Sequence, residues 1–117
     1  MGSRLILLLE DEELIMLDLE ARLINAGFAV GMARSCEEAV GFLAAKRPDA
    51  AILDVRLKDG ECVEIAGKLI EQDVPLVVHS GADSEGLPPV FAAGRYVPKP
   101  SNPDNVADIL LTMLANP

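Results

Sequence analysis

Short apolar runs alternate with segments of helical periodicity along the whole chain. The first run, Leu5–Leu9, is apolar at every position, as expected of a strand whose two faces are both covered by helices. Further strands are predicted at Phe28–Ala33, Ala50–Leu53, Leu76–His79 and Arg95–Val97. Strands that alternate with helices form a parallel, doubly wound α/β sheet with right-handed crossovers, and five-stranded examples often take the order 2-1-3-4-5. We therefore expect one such sheet with helices on both faces.

Helices are predicted between these strands from apolar spacing and from end signals. Gly27 follows the first helix in the position favoured for a left-handed cap. The second begins at a capping box formed by Ser35 and Glu38 and ends near Arg47, and Asn102 caps the last helix. The residues predicted to face the core are Leu14, Leu17, Ala21 and Ile24 in the first helix, Ala39, Val40, Phe42 and Leu43 in the second, Cys62, Val63, Ala66, Leu69 and Ile70 in the third, and Val106, Ile109, Leu110 and Met113 in the last.

The stretch from Gly81 to Gly94 is rich in glycine and proline. Any helix there is therefore short, from about Pro88 to Ala93, so the helix before the fifth strand is expected to be a shortened one. Pro98 follows the fifth strand directly and lacks a backbone N–H, which indicates that this strand lies at the edge of the sheet.

Length and charge restrict the class of protein. A chain of 117 residues is most consistent with a single domain, with no second domain attached. The net charge of −9 disfavours binding to nucleic acid or to an anionic membrane. The apolar run Leu5–Leu9 is too short for a signal peptide or a membrane span, so a cytoplasmic protein is predicted. Cys36 and Cys62 lack the spacing of a metal or redox site and are expected to be reduced.

Acidic residues follow two of the predicted strands. Glu10 and Asp11 come after the first strand and Asp54 after the third, and these two strands are neighbours in the order 2-1-3-4-5. Carboxylates gathered in this way suit Mg²⁺, which prefers oxygen ligands and keeps positions open for phosphate oxygens. Asp54 is the candidate nucleophile, Lys99 can stabilise charge on a phosphoryl group, and Ser80 can donate to a phosphoryl oxygen. Taken alone, Glu10–Glu13 also fits a helix N-terminus enriched in acids.

These residues form a pattern at four successive strand ends. Glu10 and Asp11, then Asp54 with Gly60 six residues later, then Ser80-Gly81, and finally Tyr96-Val97-Pro98-Lys99-Pro100 follow one another in order. Over its whole length the chain resembles the receiver domain of two-component response regulators. The resemblance implies a flavodoxin-like fold and a stand-alone receiver without an output domain.

The resemblance also implies roles for individual residues. Asp54 would be the phosphoacceptor, phosphorylated by a histidine kinase or phosphotransfer protein. Asp11, Asp54 and the backbone carbonyl of Arg56 would bind Mg²⁺, with Glu10 acting mainly through bound water. Lys99 would pair with Asp54 and then with phosphate, and the Lys99-Pro100 bond would be cis. Ser80 and Tyr96 would form the switch that carries phosphorylation to a protein-binding surface.

Three other functions remain open at this point. A phosphatase with an aspartyl-phosphate intermediate would want a carboxylate two residues after Asp54, where the chain has Arg56. A flavin mononucleotide carrier would need hydroxyl and amide donors after the first strand, where the chain has four acids. A degenerate receiver would only bind protein partners, and the complete acidic set disfavours it. Beyond self-catalysed phosphorylation and dephosphorylation, no enzymatic activity is expected.

Overall fold

The protein folds around one five-stranded parallel sheet. The structure, a computed structural model, describes residues 3–57, 59–81, 86–99 and 102–115. The strands are β1 (Leu5–Leu9), β2 (Ala29–Ala33), β3 (Ala50–Leu53), β4 (Leu76–Ser80) and β5 (Arg95–Pro98). Their order is β2-β1-β3-β4-β5, and every neighbouring pair is parallel. The predicted topology is confirmed, and each predicted strand lies within one residue of its observed bounds.

Helices cover both faces of the sheet. They are α1 (Glu13–Asn25), α2 (Cys36–Ala45), α3 (Val63–Glu71), a 3₁₀ helix (Pro89–Ala93) and α4 (Pro103–Ala115). Alternate residues of the central strands point into two separate apolar layers, which explains why β1 and β3 are apolar at every position. Leu7, Leu9, Ala51 and Leu53 pack with α2, α3 and the 3₁₀ helix, whereas Ile6, Leu8, Ala50 and Ile52 pack with α1 and α4.

Helix α1 turns a different face to the sheet from the one predicted. Leu14 is 80% exposed, Leu17 45% and Ile24 54%, and Ala21 is also exposed, so the predicted inward stripe is wrong. The helix carries two apolar stripes at helical spacing, and both satisfy the same periodicity. The stripe that packs with Ile6 and Leu8 of β1 is the one that was not predicted. Its buried residues are Met16, Leu19 and Leu23.

Helices α2 and α3 match their predictions in part. Ser35 accepts a hydrogen bond from the Glu38 N–H at 3.1 Å, as the capping box requires, whereas the Glu38 carboxylate accepts from the Arg34 N–H rather than from that of Ser35. Helix α2 ends at Ala45, two residues before the predicted end. The core-facing residues of α3 are Ile65, Ala66 and Leu69. Val63 of α3 and Val40 of α2 were both predicted to face the core, but both are exposed.

The glycine- and proline-rich segment forms the expected short helix. The 3₁₀ helix Pro89–Ala93 places Phe91 against the layer that contains α3, and residues 82–85 lie outside the described part of the chain. Strand β5 is the edge strand beside β4, as Pro98 predicted. Asn102 accepts a hydrogen bond from the Asp104 N–H at 2.9 Å, which confirms the predicted cap of the last helix. None of the helices described here combines the length and the hydropathy needed to cross a bilayer.

The two cysteines form a disulfide, so the prediction that both are reduced is wrong. Cys36 begins α2, and Cys62 immediately precedes α3 with a left-handed backbone conformation, at φ 52°. Their Cα atoms lie 5.3 Å apart although 26 positions separate them in sequence. The segment after β3 returns to the start of α2, and this approach depends on the folded path of the loop rather than on any local spacing of the cysteines.

Candidate metal and phosphoryl site

The carboxyl ends of β1 and β3 bring the three predicted acidic residues together. Glu10 and Asp11 follow β1, and the Asp54 N–H donates to the Leu9 carbonyl at 2.8 Å, which continues the pairing of the two strands past their ends. One carboxylate oxygen from each of Glu10, Asp11 and Asp54 lies within 4.8 Å of the others. Side chains distant in sequence therefore form one acidic cluster, as predicted.

Lys99 reaches into this cluster from the end of β5. Its Nζ atom lies 2.8 Å from Glu10 Oε1 and 3.1 Å from Asp54 Oδ2, with Glu12 Oε1 further away at 3.8 Å. The Lys99 N–H donates to the Ser80 carbonyl at 2.9 Å, which fixes the backbone that carries the ammonium. The structure thus places Lys99 beside Asp54 and adds Glu12, which the sequence patterns did not single out as a partner of Lys99.

Glu10 is held by its own loop. Its Oε2 atom accepts hydrogen bonds from the N–H groups of Asp11 and Glu12, each at 3.1 Å, while Oε1 accepts from Lys99. Glu10 is 1% exposed, whereas Asp11 is only half-buried. Both Glu10 oxygens therefore have close protein donors, whereas the donor at Asp54 Oδ1 is the Arg56 N–H at 3.4 Å. Asp11 and Asp54 are therefore better placed than Glu10 as direct ligands of a cation.

The ionisation of Asp54 and Lys99 reflects their neighbours. Burial, followed by the negative charge of Glu10, raises the pKa of Asp54 above its ordinary value, although Lys99 acts in the opposite direction. Burial alone would lower the pKa of Lys99, but hydrogen bonds to Glu10 and Asp54, together with their charges, raise it overall. Lys99 is thus held as a cation, and its single charge does not offset the carboxylates around it.

A cavity of about 270 Å³ opens over Asp54. Arg56 lies at its rim with an exposed side chain, and its N–H approaches Asp54 Oδ1 at 3.4 Å. Ser80, which is buried at the end of β4, also lines this cavity. The lining residues are Asp11, Glu12, Asp54, Arg56, Ser80, Gly81 and Lys99. The predicted cis bond involves Pro100, which lies outside the described residues.

The donor set fits Mg²⁺. Hard oxygen ligands converge within reach of one ion. The pKa of Asp54 is raised by burial first and then by the negative charge of Glu10, and the opposing effect of Lys99 does not offset them. A dication between Asp11 and Asp54 would stabilise both carboxylates in their ionised form. The arrangement is therefore consistent with a magnesium site at this edge of the sheet.

Tyr96 lies apart from the acidic cavity. It is half-buried against the apolar layer that contains α3, and it lines a second cavity, of about 410 Å³, with Leu87, Pro88 and Phe91. His79 is buried in β4, and burial, with a smaller effect of the Lys99 charge, lowers its pKa from 6.5 to about 4. His79 is therefore a neutral residue of the sheet at neutral pH.

A doubly wound domain of order β2-β1-β3-β4-β5, with an acidic cluster and a lysine at the carboxyl ends of its strands, defines a class of α/β domains with a candidate metal site at that edge of the sheet. The family model that matches this chain is the response regulator receiver domain, and it spans residues 6–111. The chain belongs to this family, which comprises receiver domains of two-component systems rather than classical enzymes.

Relatives with known names agree with this assignment. The chain is 32% identical over 100 residues to the response regulator MprA of Mycolicibacterium vanbaalenii, a match that covers 81% of this chain and 43% of that protein. MprA of Mycobacterium avium matches over 100 residues with 32% identity, covering 81% of the chain and 44% of the relative. The chain thus spans less than half the length of these curated relatives.

Solved structures agree with the fold. A CheY-like receiver domain protein from Methanospirillum hungatei superposes with a TM-score of 0.86 at 22% identity, covering 97% of this chain and 95% of the other. The response regulator TrrA from Thermotoga maritima, solved in complex with Mg²⁺-BeF, gives a TM-score of 0.81 at 23% identity and covers 94% and 98% of the two chains. The flavodoxin-like fold predicted from the resemblance is confirmed.

Proposed function

We propose that Asp54 accepts a phosphoryl group from the phosphohistidine of a histidine kinase or a phosphotransfer protein. The observation that carries the proposal is the position of its carboxylate, at the base of an open cavity between the acidic pair and Lys99. A carboxylate oxygen of Asp54 attacks phosphorus while the bond from phosphorus to the donor imidazole nitrogen breaks, and the imidazole retains the electron pair.

The neighbouring side chains prepare Asp54 for this reaction. Asp11, Asp54 and the Arg56 carbonyl are the proposed ligands of Mg²⁺, with Glu10 acting through water. When bound, the ion supplies positive charge that offsets repulsion between the carboxylates and the phosphoryl oxygens. Lys99 neutralises part of the Asp54 charge before transfer and donates to the phosphoryl group afterwards, and Ser80, at the end of the neighbouring strand β4, is a second donor.

Ser80 and Tyr96 are the proposed switch. Ser80 ends β4 in the wall of the acidic cavity, whereas Tyr96 lies in β5 beside the cavity formed by Leu87, Pro88 and Phe91. Val78 of β4 pairs with Tyr96 in the sheet, so a displacement at the end of β4 is transmitted to β5 through paired backbone. Phosphorylation would then change the surface that includes Tyr96 by favouring one of two arrangements.

The exposed stripe of α1 is the proposed docking face for the phosphate donor. Leu14 and Leu17 are exposed in the first half of α1, which begins two residues after Asp11. Exposed apolar side chains grouped on one helix face are typical of protein-binding surfaces. Because the donor kinase consumes ATP, we place this exchange in the cytoplasm, and the net charge of −9 disfavours direct binding to nucleic acid or an anionic membrane.

Phosphorylation by acetyl phosphate tests the assignment without any partner. The protein is incubated with acetyl phosphate and Mg²⁺, and intact mass is expected to show one added phosphoryl group. Omission of Mg²⁺ should suppress the reaction, and Asp54→Asn should remain unmodified because its amide is a poor nucleophile. If Asp54→Asn is labelled as fast as the parent, a residue other than Asp54 is the phosphoacceptor. Absence of labelling together with absence of Mg²⁺ binding would favour a degenerate receiver.

A further inference from the structure

The Cys36–Cys62 disulfide encloses the proposed phosphoacceptor in a covalent ring. One cysteine begins α2 and the other ends the segment that leads from Asp54 to α3. Strand β3 and Asp54 both lie within the ring of chain that this bond closes. The disulfide therefore fixes the Cys62 end of the segment between Asp54 and Cys62, and the acidic site lies at the other end.

A second contact ties the same segment to the same helix end. The Asp59 carboxylate accepts hydrogen bonds from the N–H groups of Cys36 at 2.9 Å and Glu37 at 3.1 Å. Leu57 and Gly60 exchange backbone hydrogen bonds of 2.9 and 3.2 Å, which close the segment into a tight turn. Asp59 and Cys62 thus attach this segment to the start of α2.

The residues on either side of Arg56 pack in the same apolar layer as Cys62. Val55 is 0% exposed and Leu57 8%, and both belong to the layer that contains α3. The Arg56 N–H lies 3.4 Å from Asp54 Oδ1, a long distance for a hydrogen bond. The Arg56 side chain is exposed. A displacement of Cys62 would therefore reach Arg56, whose carbonyl is a proposed metal ligand, through the packing of Val55 and Leu57.

The disulfide is accessible to a small reductant. Cys36 is half-buried, and both cysteines line an open cavity of about 430 Å³. Three acidic residues, Asp59, Glu61 and Glu64, surround that cavity. Anionic thiols are repelled by this rim, so a neutral dithiol is the suitable chemical class of reductant.

We propose that the Cys36–Cys62 disulfide is a redox-sensitive device that sets the Mg²⁺ affinity of the acidic site through the segment between Asp54 and Cys62. This inference rests on the proposed function, since it concerns the same metal site. A dithiol supplies two electrons and two protons, the sulfur–sulfur bond breaks to give two cysteine thiols, and the dithiol closes to its own disulfide. In the cytoplasm, where disulfides are seldom permanent, such a bond is typical of redox sensing.

Titration with Mg²⁺ alone tests the inference on the full chain. The disulfide-bonded protein and the protein held in dithiothreitol are compared by isothermal titration, and the reduced form is expected to bind Mg²⁺ about tenfold more weakly, the effect usual for loss of support around metal ligands. Alkylation of a separate sample, followed by intact mass, counts the thiols. The double variant Cys36→Ser/Cys62→Ser should match the reduced form with or without dithiothreitol, and circular dichroism checks that it folds.

The outcomes separate this inference from the proposed function. Equal Mg²⁺ affinity in the two redox forms, or two free thiols in protein treated with an oxidant, overturns the redox device even when acetyl phosphate labels Asp54 normally. A redox-dependent Mg²⁺ affinity in a protein that acetyl phosphate fails to label supports the device and contradicts the phosphoacceptor assignment instead. If the double variant unfolds, the comparison of reduced and oxidised parent protein decides alone.

Discussion

Two substitutions in α1 test its orientation, on which the proposed docking face depends. Leu19 is 1% exposed and packs in the layer that contains Ile6 and Leu8, so Leu19→Ala removes buried methyl groups and leaves a cavity. Such a change costs about 3 kcal/mol of unfolding free energy. Leu14 is 80% exposed, so Leu14→Ala removes little buried surface and should cost less than about 0.5 kcal/mol.

Thermal and urea unfolding followed by circular dichroism measure both variants against the parent. For a chain of 117 residues, the loss at Leu19 corresponds to a fall in Tm of about 12 °C, whereas Leu14→Ala should leave Tm within about 2 °C. Alanine is a good helix former at both positions, so helix propensity does not separate the two variants. If Leu14→Ala lowers Tm as much as Leu19→Ala does, α1 is rotated relative to the sheet, and the proposed docking face is wrong.

Two further predictions concern stability. Reduction of the Cys36–Cys62 disulfide should lower the free energy of unfolding by about 3.5 kcal/mol, the chain-entropy value for a separation of 26 positions, and a urea midpoint unchanged by dithiothreitol would contradict the bond. Between pH 6.5 and about 4, the unfolded chain protonates His79 while the folded chain does not, so stability should fall with pH across that window by up to about 3 kcal/mol. The raised pKa of Asp54 changes stability with pH in the opposite direction, but this effect is present in both the parent and His79→Gln. Urea unfolding should therefore show a weaker dependence of stability on pH in His79→Gln than in the parent. Identical pH profiles of the two proteins would refute the assignment to His79.

The sheet and the positions of the acids were predictable because they depend on local patterns. Strands β1 and β3 are apolar at every position, which only a sheet covered on both faces explains well. The topology then brings the carboxyl ends of these neighbouring strands to one place, so Glu10, Asp11 and Asp54 meet without any knowledge of loop geometry. Pro98 similarly indicates an edge strand through its missing backbone donor.

The orientation of α1 and the disulfide were not predictable from such patterns. Two apolar stripes on one helix satisfy the same periodicity, and the choice between them depends on packing against Ile6 and Leu8. Cys36 and Cys62 approach only because the turn through Gly60 returns the chain toward α2. Tertiary contacts of this kind leave no repeated spacing in the sequence.

The charges at the acidic site explain why phosphorylation could be detected elsewhere in the domain. Glu10, Asp11 and Asp54 carry three negative charges when ionised, and Lys99 carries one positive charge, so the cluster retains two negative charges that one Mg²⁺ would cancel. A phosphoryl group on Asp54 adds negative charge and several acceptor oxygens to this balanced site. Lys99 and Ser80, at the ends of β5 and β4, are donors in the lining of the same cavity that could respond. A new hydrogen bond from either of them would act on strand β4 or β5, and Tyr96 lies in β5 where it pairs with Val78 of β4.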